Sequence, residues 1–290
     1  MDLLARLKED IIVADGGFGA IVLSRGLAPE ECEESWNLTH PKDIEEIHRD
    51  FIEAGAELVT TNTFKANRRL LAKHGLGDKV EEVNRAAVEA ARRAAAPKGA
   101  FVVGCIGPIG ELLEPYGDLT AEAARELFRE PAMALARAGA DALFLETFMA
   151  IEEAEIAVKA AKETGLPVVA SMAFQASGAT MMGVGPEQAA ARLSAAGAEV
   201  VGANCGVGPV ELFPIMEKMK ASYAGLTIAQ PNAGMPRLIE GKTVFPEKPE
   251  TMGEYAKKFR NLGINIIGGC CGNRPEHIRA IAKALRGGTP

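Results

Sequence analysis

The sequence has no run of about eighteen uncharged apolar residues, no cluster of Lys and Arg, and no linker or low-complexity stretch. The first absence excludes a helical membrane span. The second, with a net charge of -7, argues against nucleic acid or an anionic membrane surface as a partner. The third leaves residues 1–290 as one domain. The opening MDLLARLKED lacks the unbroken apolar core of a secretory signal; charges alternate with Leu3, Leu4 and Leu7, which reads as a short amphipathic helix. Cysteine is scarce and odd in number, five in 290 residues. Without an export signal, that places the chain in the reducing cytoplasm, where thiols bind metal or stay free. There is no C-x2-C pair, and the glycines after Asp15 read G-G-x-G rather than a dinucleotide fingerprint. None of the four histidines falls at a strand end, so no histidine base or nucleophile dyad is expected. His48 and His277 fall in helical stretches and read as surface or packing residues.

What is present is a regular alternation. Apolar runs at Ile11–Asp15, Leu58–Thr63, Phe101–Gly107, Ala142–Thr147, Pro167–Phe174, Glu199–Cys205, Leu226–Asn232 and Ile264–Cys271 are separated by helical patterns. Most are rich in Val, Ile and Leu without strict alternation, as expected of parallel strands covered on both faces. From Pro41, residues Ile44, Ile47, Phe51 and Ile52 recur at helical spacing, with Thr39 as the expected cap and Gly55 as the stop. Gly139, Gly165, Gly197 and Gly263 repeat that punctuation. Eight such units make a (β/α)8 barrel the expected α/β fold, with a doubly wound sheet as its competitor. Pro131, inside the helical stretch from Glu122 to Ala138, is expected to kink or break it.

Barrel enzymes build their sites where strands end, so the residues closing each run are the site candidates. They are Asp15 with Gly16, Gly17, Phe18 and Gly19; Thr61, Asn62 and Thr63; Glu146 with Thr147; Cys205; Pro231 with Asn232; and Cys270 with Cys271. Three thiols meeting at neighbouring strand ends would leave one position of a tetrahedral zinc free, the composition of a catalytic site. Their bland alternative is burial as small hydrophobes. Adjacent side chains on a strand point to opposite faces, so Cys270 and Cys271 share a metal only if the chain turns, which Gly268, Gly269 and Gly272 permit. Amide groups bared by the glycines after Asp15 suit a carboxylate and Glu146 suits an ammonium, a pairing that fits an amino acid; the alternatives are a capped turn and a buried ion pair. Trp36 is a packing anchor or part of a lid over the pocket.

In order, ADGGFGA, ESWNL, TTNTF, GCIGPIG, LET, GANCGVGP, QPNAGMP and IIGGCCG resemble the homocysteine S-methyltransferase family over nearly the whole chain, most closely the homocysteine-binding domain of cobalamin-dependent methionine synthase. The resemblance implies a zinc(2+) ion held by Cys205, Cys270 and Cys271. It implies that Asp15, the amides of Gly16, Gly17 and Phe18, and Glu146 bind the amino and carboxyl groups of homocysteine in a pocket shared with Thr61, Asn62 and Thr63. It also implies that Asn232 holds the open zinc position before substrate arrives. The expected reaction carries a methyl group to the homocysteine thiol and makes methionine. The expected donor is a methylcobalamin and methyltetrahydrofolate system on a partner, because the likeness is to the cobalamin-dependent branch while the chain itself has no D-x-H-x-x-G cobalamin signature and no folate module. Within the family the other donors are S-methylmethionine, S-adenosylmethionine and betaine. Ala20 stands where a threonine is common and Cys105 where relatives often carry aspartate, two departures that bear on specificity. Outside the family, two readings compete: a barrel enzyme gripping a phosphorylated small molecule through Gly268 and Gly269, and a non-catalytic zinc- or thiol-binding subunit.

Overall fold

The eight apolar runs lie side by side and parallel, because helical segments between them return the chain to the end from which each strand starts. The computed structural model describes residues 2–28, 30–239 and 242–287. Its strands are β1 (Ile12–Val13), β2 (Leu58–Thr60), β3 (Phe101–Ile106), β4 (Ala142–Phe148), β5 (Val168–Met172), β6 (Val200–Asn204), β7 (Leu226–Gln230), a hairpin of β8 (Arg237–Ile239) and β9 (Lys242–Val244), and β10 (Ile266–Ile267). The sheet runs β1-β10-β7-β6-β5-β4-β3-β2. It closes where Ala14 bridges Leu58: Glu57 N donates to Val13 O at 2.8 Å and Asp15 N to Leu58 O at 3.1 Å. This is the expected (β/α)8 barrel. A doubly wound sheet would have left two open edges.

The unbroken apolar runs are explained by the two sides they cover. Val103, Phe144, Val169, Val200, Ile228 and Ile266 point inward and form one cluster with Leu3 and Leu7. Their chain neighbours Val102, Leu143, Leu145, Val168, Val201 and Ile267 point outward into the layer of helices. Both faces of each strand are therefore dry. The opening segment is the expected helix, Leu3–Glu9, with Asp2 capping Ala5 N at 2.8 Å; Leu3 and Leu7 close the amino end of the barrel interior.

Three local features differ from the sequence reading. The helix Pro41–Ala54 has His40 rather than Thr39 at its cap position, because Pro41 occupies the first turn and Thr39 ends a preceding turn of helix. The helix Ala121–Arg137 does not break at Pro131, because buried Phe128, Pro131, Ala132 and Leu135 pack one face against the sheet on both sides of it. Burial along that face offsets a proline cost of ~3 kcal/mol. The β8–β9 hairpin, in the connection after β7, was not foreseen. No helix among the described residues is long and apolar enough to cross a membrane.

Candidate functional site

Cys205 is the first residue beyond β6, and it adopts a left-handed conformation, φ 59°, followed by Gly206 at φ 71°. Such a conformation is costly for a residue with a Cβ and persists only where surroundings enforce it. Gly206 is required, since an added Cβ would lie 2.2 Å from the Phe174 carbonyl oxygen. The kink re-aims the thiol. On β10's side the chain turns: Cys270 N donates to Pro231 O at 2.9 Å, Asn273 N to Cys270 O at 3.1 Å, and Gly272 takes φ 80°. The turn places both neighbouring thiols on one side, as the glycines permit.

The three sulfurs lie within 4.8 Å of one another, with Cys205 and Cys271 at 3.8 Å. Three observations fit zinc. The spacing matches the edge of a tetrahedron with Zn–S near 2.3 Å, about 3.8 Å, and far exceeds a disulfide's ~2.05 Å. The donor set is all sulfur, which favours a soft or borderline ion. Asn232, close enough to Cys205 to help lower its thiol, keeps a buried Oδ1 with no partner among the described residues. Hydrogen bonds from Cys270 and Cys271 hold Cys205 well below the ordinary thiol value and push the other two up, so the cluster already favours one thiolate. Among the described residues it is the one group of three or more metal-ligating side chains.

The thiols line a cavity of about 350 Å3 together with Gly16, Gly17, Phe18, Glu33, Thr61, Asn62, Thr63, Glu146, Thr147 and Phe245. Glu146 and Thr147 both reach it because β4 is irregular there: the register with β5 shifts between Leu145 and Phe148, and Thr147 takes φ 65°. Asn204 locks this bulge, its Oδ1 accepting from Thr147 N at 2.9 Å and its Nδ2 donating to Thr147 Oγ1 at 2.8 Å and Glu146 Oε2 at 3.2 Å. The Cys105 thiol donates to Glu146 Oε1 at 2.7 Å. Burial pushes Glu146 up to about 7, against the pull of that thiol.

The other expected site residues divide between lining and support. The Gly17 amide is committed to Asn273 O at 2.9 Å, whereas those of Gly16 and Phe18, two residues lining the cavity, make no backbone hydrogen bond among the described residues. Asp15 stands behind the lining, accepting from Thr60 N at 2.8 Å and Thr60 Oγ1 at 3.2 Å; burial, with Glu146 adding, pushes it up to about 8. Thr61 and Thr63 line the wall but bond to each other at 2.7 Å and to the Cys105 backbone, which fixes Cys105. The Asn62 amide is committed to Glu33 O and Asn37. Asn232 is buried beside Cys205 rather than on the cavity wall. Trp36 is a packing anchor, 3% exposed and stacked on His40 at 4.2 Å. His48 and His277 are buried packing residues. Gly268 and Gly269 do not form a phosphate loop, since their amides donate to Ala229 O and Asp15 O.

Asn204, Glu33 and Phe245 escaped the sequence reading. Asn204 adjoins Cys205 at a strand end and was findable from that position. Glu33 and Phe245 sit in long connections and carry no positional signal.

The family model for homocysteine S-methyltransferase matches residues 12–285. A methionine synthase of Mycobacterium leprae (strain TN) is 31% identical over 98% of this chain and 25% of its own. Betaine–homocysteine S-methyltransferase 1 of Mus musculus is 31% identical over 98% of this chain and 74% of its own. The chain thus spans about a quarter of the length of the methionine synthases and about three quarters of the betaine enzyme. The oxidized homocysteine methyltransferase MmuM from Escherichia coli shares the fold at TM-score 0.80 and 24% identity, over 96% of this chain and 97% of that one.

Proposed function

The chain belongs to the homocysteine S-methyltransferase family, and from that premise we propose that it transfers a methyl group to the thiol of L-homocysteine, forming L-methionine. The observation that carries this reading is the convergence of Cys205, Cys270 and Cys271 on a cavity whose wall presents Glu146. A zinc ion held by those three thiolates would supply ionisation of a thiol entering its open fourth position. Asn232, with an unpaired Oδ1 beside Cys205, is the residue that would hold that position while substrate is absent.

The protein's other residues bind and orient. Glu146, fixed by Cys105 and Asn204, receives the substrate ammonium, and Asp15 stands behind the wall, held by Thr60. The amides of Gly16 and Phe18 receive the carboxylate. Thr61, Asn62 and Thr63 hold the wall that positions them. Magnitudes rank these contributions. A free thiol with pKa near 8.5 is already about 3% ionised at pH 7, so full ionisation gives only ~30-fold, or ~2 kcal/mol. Aligning sulfur with the methyl group can contribute ~7 kcal/mol or more. Residues 1–290 act as one homocysteine-binding unit in the reducing cytoplasm, a reading supported by five unpaired cysteines.

For the donor, the reading is a corrinoid on a partner protein, remethylated from methyltetrahydrofolate. Two observations support it. Methionine synthases match this chain over only a quarter of their length, leaving room for such modules. Nine of the ten exposed large hydrophobic residues among the described ones, Tyr116, Met181 and Leu238 included, lie in the connections or first helical turns after the barrel strands' carboxyl ends, the end of the barrel that carries the cavity. A small sulfonium or betaine donor is the second reading, favoured by the match over most of the betaine enzyme. The test measures zinc content, then methionine formed from homocysteine with methylcobalamin, S-methylmethionine, S-adenosylmethionine or betaine. About one zinc per chain and turnover with one donor is expected. Turnover by metal-free protein, or zinc-loaded protein inert with every donor, would refute the reading.

A further inference from the structure

Glu33 is a carboxylate whose side chain makes no hydrogen bond or ion pair among the described residues. It stands in the turn Glu33–Ser35 after β1 and lines the cavity across Gly19, where an added Cβ would fall 2.7 Å from Glu33 Oε2. The segment carrying it is fastened on every side. Asn62 Nδ2 donates to the Glu33 carbonyl oxygen at 3.0 Å, and the Glu34 carboxylate accepts from Lys65 N at 2.8 Å. Asn37 and Asn62 bond reciprocally, with Asn37 Nδ2 on Asn62 O at 2.8 Å and Asn62 Nδ2 on Asn37 Oδ1 at 3.1 Å. The side chain is therefore aimed, yet it has no hydrogen bond or ion pair among the described residues. Burial, with Glu34 and Glu146 adding, pushes it up to about 7, and the nearby cation, Lys65, is exposed to solvent. A half-buried carboxylate beside two others is stabilised by a cation. Lys65 lines the same cavity but forms no ion pair with Glu33 among the described residues, which leaves the carboxylate free to take a ligand's cation.

The barrel says which end of a ligand meets it. The thiols follow β6 and β10, while Glu33 is tied to β2, which faces β6 across the ring. A substrate whose sulfur lies at the thiols extends its far end toward Glu33 and Glu146. We propose that Glu33 is a specificity-determining residue that encloses the α-ammonium of the thiol substrate together with Glu146, so that the cavity selects an α-amino acid over a thiol lacking the amino group. The proposal rests on the homocysteine reading and adds to it a residue beyond the Asp15 and Glu146 pair.

The experiment measures calorimetric binding of L-homocysteine and of 4-sulfanylbutanoate, its des-amino counterpart, to the zinc-loaded full chain. Glu33→Gln removes the charge and keeps the shape; homocysteine affinity is expected to fall about 10- to 100-fold, as for a lost charge-assisted hydrogen bond. Binding of 4-sulfanylbutanoate should stay within about twofold. Gly19→Ala, which pushes the carboxylate aside without deleting it, should repeat that pattern. Glu34→Gln, which touches the anchor of the same segment, should instead weaken both ligands alike or neither. Equal losses for both ligands in Glu33→Gln, no loss at all, or a change confined to the KM of a cationic methyl donor would each overturn the proposal. Wild-type protein that binds neither ligand would overturn the substrate reading beneath it, a result distinct from any of these.

Discussion

Replacing Cys271 by alanine separates two contributions that the site combines. The thiol borders the cavity, 3.8 Å from Cys205, and follows rather than forms part of β10, so its removal leaves the barrel pairing intact. Two sulfurs remain where the tetrahedral edge had three, and zinc content should fall from about one per chain toward zero. If ionisation of the substrate thiol were all that is lost, turnover at pH 7 would drop ~30-fold, because ~3% of a free thiol is ionised there. At pH 9, where most of a free thiol is ionised, activity would return. The geometry argues for a larger loss. Without the ion the sulfur is no longer fixed at the cavity end opposite β2, and alignment can account for ~7 kcal/mol or more. The expected drop is therefore on the order of 1000-fold or greater, with no recovery at pH 9. Metal analysis, circular dichroism and initial rates at both pH values form the assay. Full zinc occupancy with normal turnover would remove Cys271 from the ligand set. A 30-fold loss restored at pH 9 would show that the site ionises the thiol without positioning it.

Glu146→Gln should weaken homocysteine binding about 10- to 100-fold while zinc content stays unchanged; unaltered affinity in a titration would take Glu146 out of the amino-acid pocket. For the ligand-free protein, Asp15 binds a proton when folded up to about pH 8 but when unfolded only below about pH 4. Its contribution to stability is present at low pH and is lost as pH rises toward 8. Burial holds His48 down to about 3, which works in the opposite sense below its ordinary value of 6.5. Glu33 and Glu146, pushed up to about 7, work in the same sense as Asp15, so it is the difference in slope between variant and wild type over pH 6.5–8 that reports Asp15. Across that window Asp15→Asn should melt with a shallower pH slope than wild type; identical slopes in scanning calorimetry would contradict the assignment. Gly202→Ala places a Cβ 1.9 Å from the Ile228 carbonyl oxygen on the adjoining strand. Overpacking of ~1–3 kcal/mol should lower the melting midpoint by at least about 3 °C, and a midpoint within 1 °C of wild type would show that β6 and β7 yield without cost.

The order of elements was legible because a strand dry on both faces must be apolar at every position, whereas the helices outside it are wet on one side. Val102 and Val103 already show this: one faces the helices and the other the barrel interior, and neither tolerates charge. The three clustered cysteines were legible as strand-end residues with glycines beside them. Local grammar misled at Thr39, which ends a preceding helical turn, and in the break expected at Pro131, where burial along the helix face holds the helix together.

Other features existed only after folding. That Glu146 and Thr147 share a cavity depends on a bulge locked by Asn204, 57 residues from Thr147. That Asp15 lies behind the wall rather than on it depends on Thr60, and that Glu33 faces the cavity depends on Asn62 holding its carbonyl. The chain order alone determined which elements form and where thiols leave the strands, because periodicity and strand-end position are properties of neighbouring residues. Only the closed ring decided which side chains meet, how far apart their charges lie and which are left without partners, because those quantities arise between segments that the chain itself keeps far apart.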